Sequence, residues 1–185
     1  AYTSGHFRYI RADGSTLQEF AQEPLECPPY EGMLRGNYIG MHSTVIFHRS
    51  IFDVVGVFDT SLRSCEDYDL YLRITRRHAV ARHDRLVAEY RRHDASMSVR
   101  AGRMLDTALD VLSAQRPFIR GNGRLIGACQ FGIHGFCRDL IRPLLSGILG
   151  AMRAANWSRA AQLSLHLPTY VAPVLRAAWL DWCLT

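Results

Sequence analysis

The spacing of apolar positions divides the chain in two. Up to about residue 100, runs with a period of two alternate with short helical runs; beyond it the period is helical throughout. Tyr2–Ile10 reads as a strand, stopped by the turn residues Ala-Asp-Gly-Ser at 12–15. Residues 21–36 read as loop, because Pro24, Pro28, Pro29, Gly32 and Gly36 break any period. Ser43–His48 (STVIFH) is a β-branched run suited to a buried strand, and a short helix is predicted over Ser50–Val55, closed by Gly56. A further helix runs from about Cys65 to His78, and Val80–Arg92 alternates as a strand or an extended hairpin.

In the second part, Met104, Leu105, Ala108, Leu109 and Leu112 predict a helix that Pro117 ends. Ile133, Phe136, Cys137, Leu140, Ile141, Leu144, Leu145, Ile148 and Met152 form a longer stripe at helical spacing. A further helical pair brackets Pro168 and Pro173. Arg138, Asp139 and Arg142 interrupt the stripe, so its apolar run falls short of the ~20 residues that a membrane span needs. It reads as a helical hairpin packed on its neighbours. An interfacial amphipathic helix, with Trp157, Trp179 and Trp182 nearby, is the alternative.

The chain has 185 residues, 48% of them hydrophobic, enough for one core and up to half of a second domain's length. Its net charge is +5, and every basic residue is an arginine. The guanidinium fork bonds two phosphate oxygens at once, which suits a phosphorylated ligand, a nucleic acid or an anionic membrane surface. A GC-rich genome explains an arginine bias without any such ligand and is the preferred reading. The arginines are interleaved with acids and the aromatics make no stacking platform, so no nucleic-acid partner is expected. Cys27, Cys65, Cys129, Cys137 and Cys183 are odd in number and contain no C-x-x-C pair, which argues against a zinc site or a disulfide framework. A cytoplasmic location follows as the expectation. The start AYTSGHFRYI has neither initiator Met nor signal peptide and reads as a segment of something longer. His6, His42, His78, His83, His134 and His166 share no metal-ligand spacing and read as scattered structural or surface residues.

Residues 64–74, SCEDYDLYLRI, concentrate three acids where a helix begins to bury itself. Helical geometry puts Asp67 on the face that continues through Leu70, Tyr71 and Ile74. Glu66 and Asp69 continue toward Arg73 and Arg77, a solvated stripe on which dipole compensation and an Asp69–Arg73 pair explain them. Asp67 heads the buried face, where an unpaired carboxylate costs several kcal/mol. Either something pairs with it or it is kept for chemistry; geometry alone leaves both open. Asp67 and Asp69 do not read as a metal-binding Asp-x-Asp, since alternate helical positions point about 200° apart.

Three stretches together resemble the family 2 glycosyltransferases of the GT-A fold. GNYIGMHSTVIFHRSIFDVVGVFDTSL (36–62) resembles that family's loop, strand and short helix ahead of a Gly-Gly-Phe-Asp turn. CEDYDLYLRI (65–74) resembles the x-Glu-Asp motif with its helix, and YRRHDASMS (90–98) the Tyr-Arg-x-His segment that closes the catalytic domain. His48 departs from the usual Arg-Arg pair, of which Arg49 remains, and Val57 replaces the second glycine of the turn.

The resemblance implies an α/β fold: the acceptor-side part of a GT-A (Rossmann-like) domain over residues 1–100, followed by an α-helical extension over 101–185. It implies an inverting transfer from a nucleotide-sugar donor to a glycan or lipid-linked acceptor, with Asp67 as general base and Glu66 orienting acceptor or helix. It further implies Gly36, Asn37 and Gly40 in a loop beside donor and acceptor, Arg49, Arg91 and Arg92 as substrate-binding residues, and His93 as a ligand for Mg²⁺ or Mn²⁺. The nucleotide-binding half would lie before residue 1, leaving the chain inactive alone. The helical extension would dock on the catalytic domain, dimerise, or rest peripherally on the inner face of the cell membrane.

Overall fold

The computed structural model describes residues 1–21, 27–91 and 97–184, without the side chains of 97–101, 181 and 184. The chain forms two compact units: Ala1–Ser61 with Glu66–Ala95, and Leu62–Cys65 with Ser96–Thr185. Together they are mixed α/β, with a four-stranded sheet and eight α-helices among the described residues.

The first unit is built on β1 (Tyr2–Ile10), which is bonded along both edges. β2 (Thr16–Phe20) and β3 (Val45–Phe47) share one edge, both antiparallel, while β4 (Ala81–Arg91) runs parallel along the other. Tyr2, Phe7 and Ile10 of β1 are buried, as befits a central strand. The hairpin to β2 turns where expected: Gly14 adopts φ 86°, and the Asp13 carboxylate accepts from the Ser15 amide at 2.9 Å. β4 bulges against β1. Ser4 pairs with Arg82 and His6 with Leu86, so the extra residues of β4 stand opposite Gly5. A Cβ on Gly5 would lie 2.3 Å from His83 Cε1 and 2.8 Å from the Arg85 carbonyl oxygen.

Three elements differ from the sequence expectation. Residues 29–35, expected as loop, form helix α1 (Pro29–Arg35); the prolines and Gly36 sit at its ends, where they delimit a helix rather than break one. The strand expected over Ser43–His48 shrinks to β3, because His42–Thr44 forms a 3-10 turn, and Ile46 is 72% exposed rather than buried. β2 is an exposed strand of five residues with too little apolar alternation to register as one. Helix α2 (Ile51–Val55) ends as expected at Gly56, φ 79°, whose amide bonds the Phe52 carbonyl. Helix α3 (Glu66–Thr75) buries Tyr68, Leu70, Tyr71, Leu72 and Ile74, and the Tyr68 hydroxyl donates to the Met33 carbonyl of α1 at 2.8 Å.

The second unit is helical: α4 (Met97–Ser113), α5 (Arg116–Ile119), α6 (Gly123–Arg153), α7 (Trp157–Ser164) and α8 (Pro168–Leu184). Its core joins Leu105, Leu109 and Leu112 of α4 to Ile119, Cys129 and Ile133. Pro117 does not simply end α4; it stands in the first turn of α5, where its missing amide costs nothing. Asn122 and Asn156 cap α6 and α7, each accepting through Oδ1 from the amide three residues on. Arg176 of α8 bonds Asp106 at 3.0 Å and also bonds Asp110, holding α8 to α4.

Candidate active site

The acids at the head of α3 have three different environments. Glu66 is exposed, whereas Asp67 and Asp69 are half-buried. Asp69 accepts from Arg73 Nε at 2.8 Å, the spacing expected from the sequence. The pair is not the solvated one expected, however: its side chains are 16% and 22% exposed. The Arg73 guanidinium also donates to the carbonyls of Val55, at 2.5 Å, and Val57, at 2.8 Å. Arg73 therefore clamps α3 to the turn after α2, and Asp69 serves that clamp.

Asp67 has a different setting. Its Oδ1 accepts from the Tyr68 amide at 2.7 Å, within the helix's own first turn. Burial pushes its carboxyl above the usual carboxylate range, with neighbouring Glu66 adding to the rise. The Tyr68 amide and His42 pull the other way. The helix N-terminus thus favours the ionised form, as the sequence suggests, but burial outweighs it. Immediately before the acids, Cys65 holds φ 59°, a left-handed conformation unusual for a residue with a side chain.

One turn along the same face, the Tyr71 hydroxyl lies 2.9 Å from His42 Nδ1. Tyr71 is fully buried, and burial, reinforced by Asp67 and Glu66, raises its phenol far above the ordinary value. It stays protonated at any physiological pH. The His42 ring is exposed at its rim and packs edge-on against Phe58, centroids 5.3 Å apart. Phe47 stacks on Tyr71, which in turn leans on Tyr2 at 5.5 Å. The result is a reachable carboxylate, a buried phenol and a solvent-facing imidazole on an aromatic floor. In the sequence His42 has no metal-ligand spacing and reads as a scattered histidine; its one signal is its place in the stretch preceding β3.

The other candidates are dispersed. Gly36, at φ 155°, ends α1, and Gly40, at φ 71°, lies where a Cβ would come 3.1 Å from the Phe7 ring. Between them the Asn37 carboxamide oxygen accepts from the Ile39 amide at 3.2 Å, so this side chain shapes its own loop. Arg49 is exposed before α2. Arg91 donates to the carbonyls of Arg11 and Ala12, at 3.1 and 2.7 Å, beyond the Ile10 end of β1, whereas Tyr71 meets Tyr2 at the other end. Among the described residues no hydrogen bond or ion pair joins Arg91 to Asp67. Arg92 and His93 lie outside the described residues. Among those described, no group of three or more His, Cys, Asp or Glu side chains is arranged to hold a metal ion.

Comparison of the chain with protein-family models, with characterised proteins and with solved structures finds no match.

Proposed function

We propose that this chain is the acceptor-side part of an inverting, family 2-like glycosyltransferase in which Asp67 is the general base. What carries the reading is Asp67 itself: a half-buried carboxylate in the first turn of α3, raised by burial and reachable from solvent beside Tyr71 and His42. A raised carboxylate is the better proton acceptor, provided it is ionised. The acceptor hydroxyl gives its proton to Asp67 as its oxygen bonds to the anomeric carbon of a nucleotide sugar. The bond from that carbon to the diphosphate breaks on the opposite face, and the nucleoside diphosphate leaves with the electron pair. Configuration inverts in a single displacement.

Tyr71 and His42 fix the wall against which the acceptor sits, and the exposed Glu66 is placed to hydrogen-bond a second acceptor hydroxyl. A glycan or lipid-linked acceptor fits this role. Mg²⁺ or Mn²⁺ would take His93, outside the described residues, as a ligand; among those described no group of three or more His, Cys, Asp or Glu could hold it.

The test is Asp67→Asn in a protein that joins this chain to a nucleotide-binding half. Release of nucleoside diphosphate in the presence of acceptor should fall by about 100-fold or more, the usual contribution of a general base, with nucleotide-sugar binding retained. Transfer at a near-normal rate would remove Asp67 from the mechanism.

A further inference from the structure

The protein's positive charge is carried unevenly. Residues 116–185 contain eight arginines against Asp139 and Asp181, a net charge of +6 where the whole chain has +5. The first 115 residues are therefore close to neutral, at −1. Within the helical unit this charge meets an exposed apolar face. Helix α6 turns Ala128, Cys129, Gly132, Ile133 and Leu144 inward. On its solvent side Phe131, Arg138, Arg142, Leu145, Leu149 and Met152 recur at helical spacing and form one stripe. Its four apolar members are 45–53% exposed. Only Asp139 offsets the stripe, bonding Arg138 at 2.8 Å; Arg142 has no acidic partner among the described residues.

We infer that the outward stripe of α6 binds an anionic lipid surface, lying along it. A helix with apolar residues and arginines on one face gains twice there: the apolar side chains enter the boundary between head groups and acyl chains, and the guanidiniums meet lipid phosphates. From Phe131 to Met152 the stripe makes a contact about 33 Å long, at ~1.5 Å per residue. The same charges oppose a second copy of the chain as occupant, since a two-fold contact would set arginines against arginines. The apolar half of the stripe, with Phe131 its only aromatic, opposes nucleic acid. No helix among the described residues is long and apolar enough to cross a membrane, so the contact is along the surface. This inference stands apart from the glycosyl-transfer reading, and neither falls with the other.

The test is co-sedimentation of the 185-residue chain with phosphatidylcholine vesicles, with and without phosphatidylglycerol, at low and physiological salt. Phosphatidylglycerol should raise partitioning at least about tenfold, an effect that weakens as salt rises. Leu149→Glu and Arg142→Glu should each lower it about tenfold or more while circular dichroism stays that of the parent, both positions being exposed. Arg85→Glu, the same charge change on the exposed surface of β4, should bind as the parent does, which separates the stripe from net charge. Equal partitioning with and without the anionic lipid, no partitioning, or α6 variants that bind normally would each overturn the assignment. So would a duplex oligonucleotide bound while vesicles are ignored, or a dimer that Leu149→Glu dissolves while vesicles are ignored.

Discussion

His42 Nδ1 and the Tyr71 hydroxyl meet at 2.9 Å across 29 residues of sequence, tying the turn before β3 to the second turn of α3. The ring of Tyr71 and its hydroxyl do separable work. Tyr71→Phe keeps the packing on Phe47 and Tyr2 and loses one hydrogen bond, so it should cost about 1 kcal/mol. Tyr71→Ala empties the aromatic floor and should cost about 3–5 kcal/mol. Urea denaturation of both variants measures the difference, and equal costs would mean that the bond rather than the ring holds this wall.

Asp67 should destabilise the protein at neutral pH. Its folded-state carboxyl is raised above the unfolded one by burial, so its favourable contribution is complete only below the unfolded value, near 4. That contribution is lost as pH rises through the folded value. Asp67→Asn removes the buried charge while keeping an oxygen for the Tyr68 amide. Its melting temperature should exceed the parent's at pH 7, by about 2–4 °C for each kcal/mol recovered in a chain of this size. The gap should close as the buffer approaches pH 4. A constant gap across the titration would show that the carboxylate carries no burial cost.

The Arg73 clamp joins one carboxylate and two backbone carbonyls, the bonds to Asp69 and Val55 part-buried and the bond to Val57 exposed. Arg73→Ala should cost roughly 2–3 kcal/mol, since a hydrogen bond to a charged group contributes about 1.5–3 kcal/mol and several are lost together. Arg73→Lys should recover less than half, because an ammonium cannot fork between Asp69 and two carbonyls. The midpoint of denaturant unfolding reports both, and full recovery by lysine would reduce the clamp to a simple ion pair.

At Gly5 the limit is space. A methyl group there meets the Arg85 carbonyl as well as the His83 ring, and backbone cannot swing aside as a side chain can. Gly5→Ala should therefore cost about 1–3 kcal/mol and loosen the pairing of β1 with β4. Amide exchange at Ser4 and His6 would show the loosening; unchanged protection would mean that the bulge absorbs a methyl group.

A long, clean period is legible in the sequence: β1 and α3 each bury a face that repeats over several turns or pleats. The stripe over 133–152 marks a helix, but it lies in the single helix α6 rather than a packed hairpin, and Leu145 and Met152 of that stripe are exposed. α1 escaped because its prolines and glycine are the same residues that mark loops, and only their position relative to Tyr30, Met33 and Leu34 tells a helix end from a break. β3 was found but its burial misjudged, since Ile46 is β-branched yet points to solvent. At the site, Asp67 was legible because Leu70, Tyr71 and Ile74 define its face. His42 was not, because a loop brings it there and no spacing encodes that. The Asp69–Arg73 pair was legible as a spacing; its burial depends on the carbonyls of Val55 and Val57, which sequence patterns do not locate.

The central place of β1 also sets an order of assembly. Its parallel partner arrives some eighty residues later: Arg8 of β1 bonds Glu89 of β4 across a separation of 81. Closing so long a loop is entropically costly and slow, and until it closes β1 presents an unpaired edge to any passing strand. The helical unit, in which α6 follows α4 and α7 follows α6 by short connections, needs no such wait. Refolding should accordingly restore most of the helical signal first and the sheet last, with aggregation competing only in the interval between them.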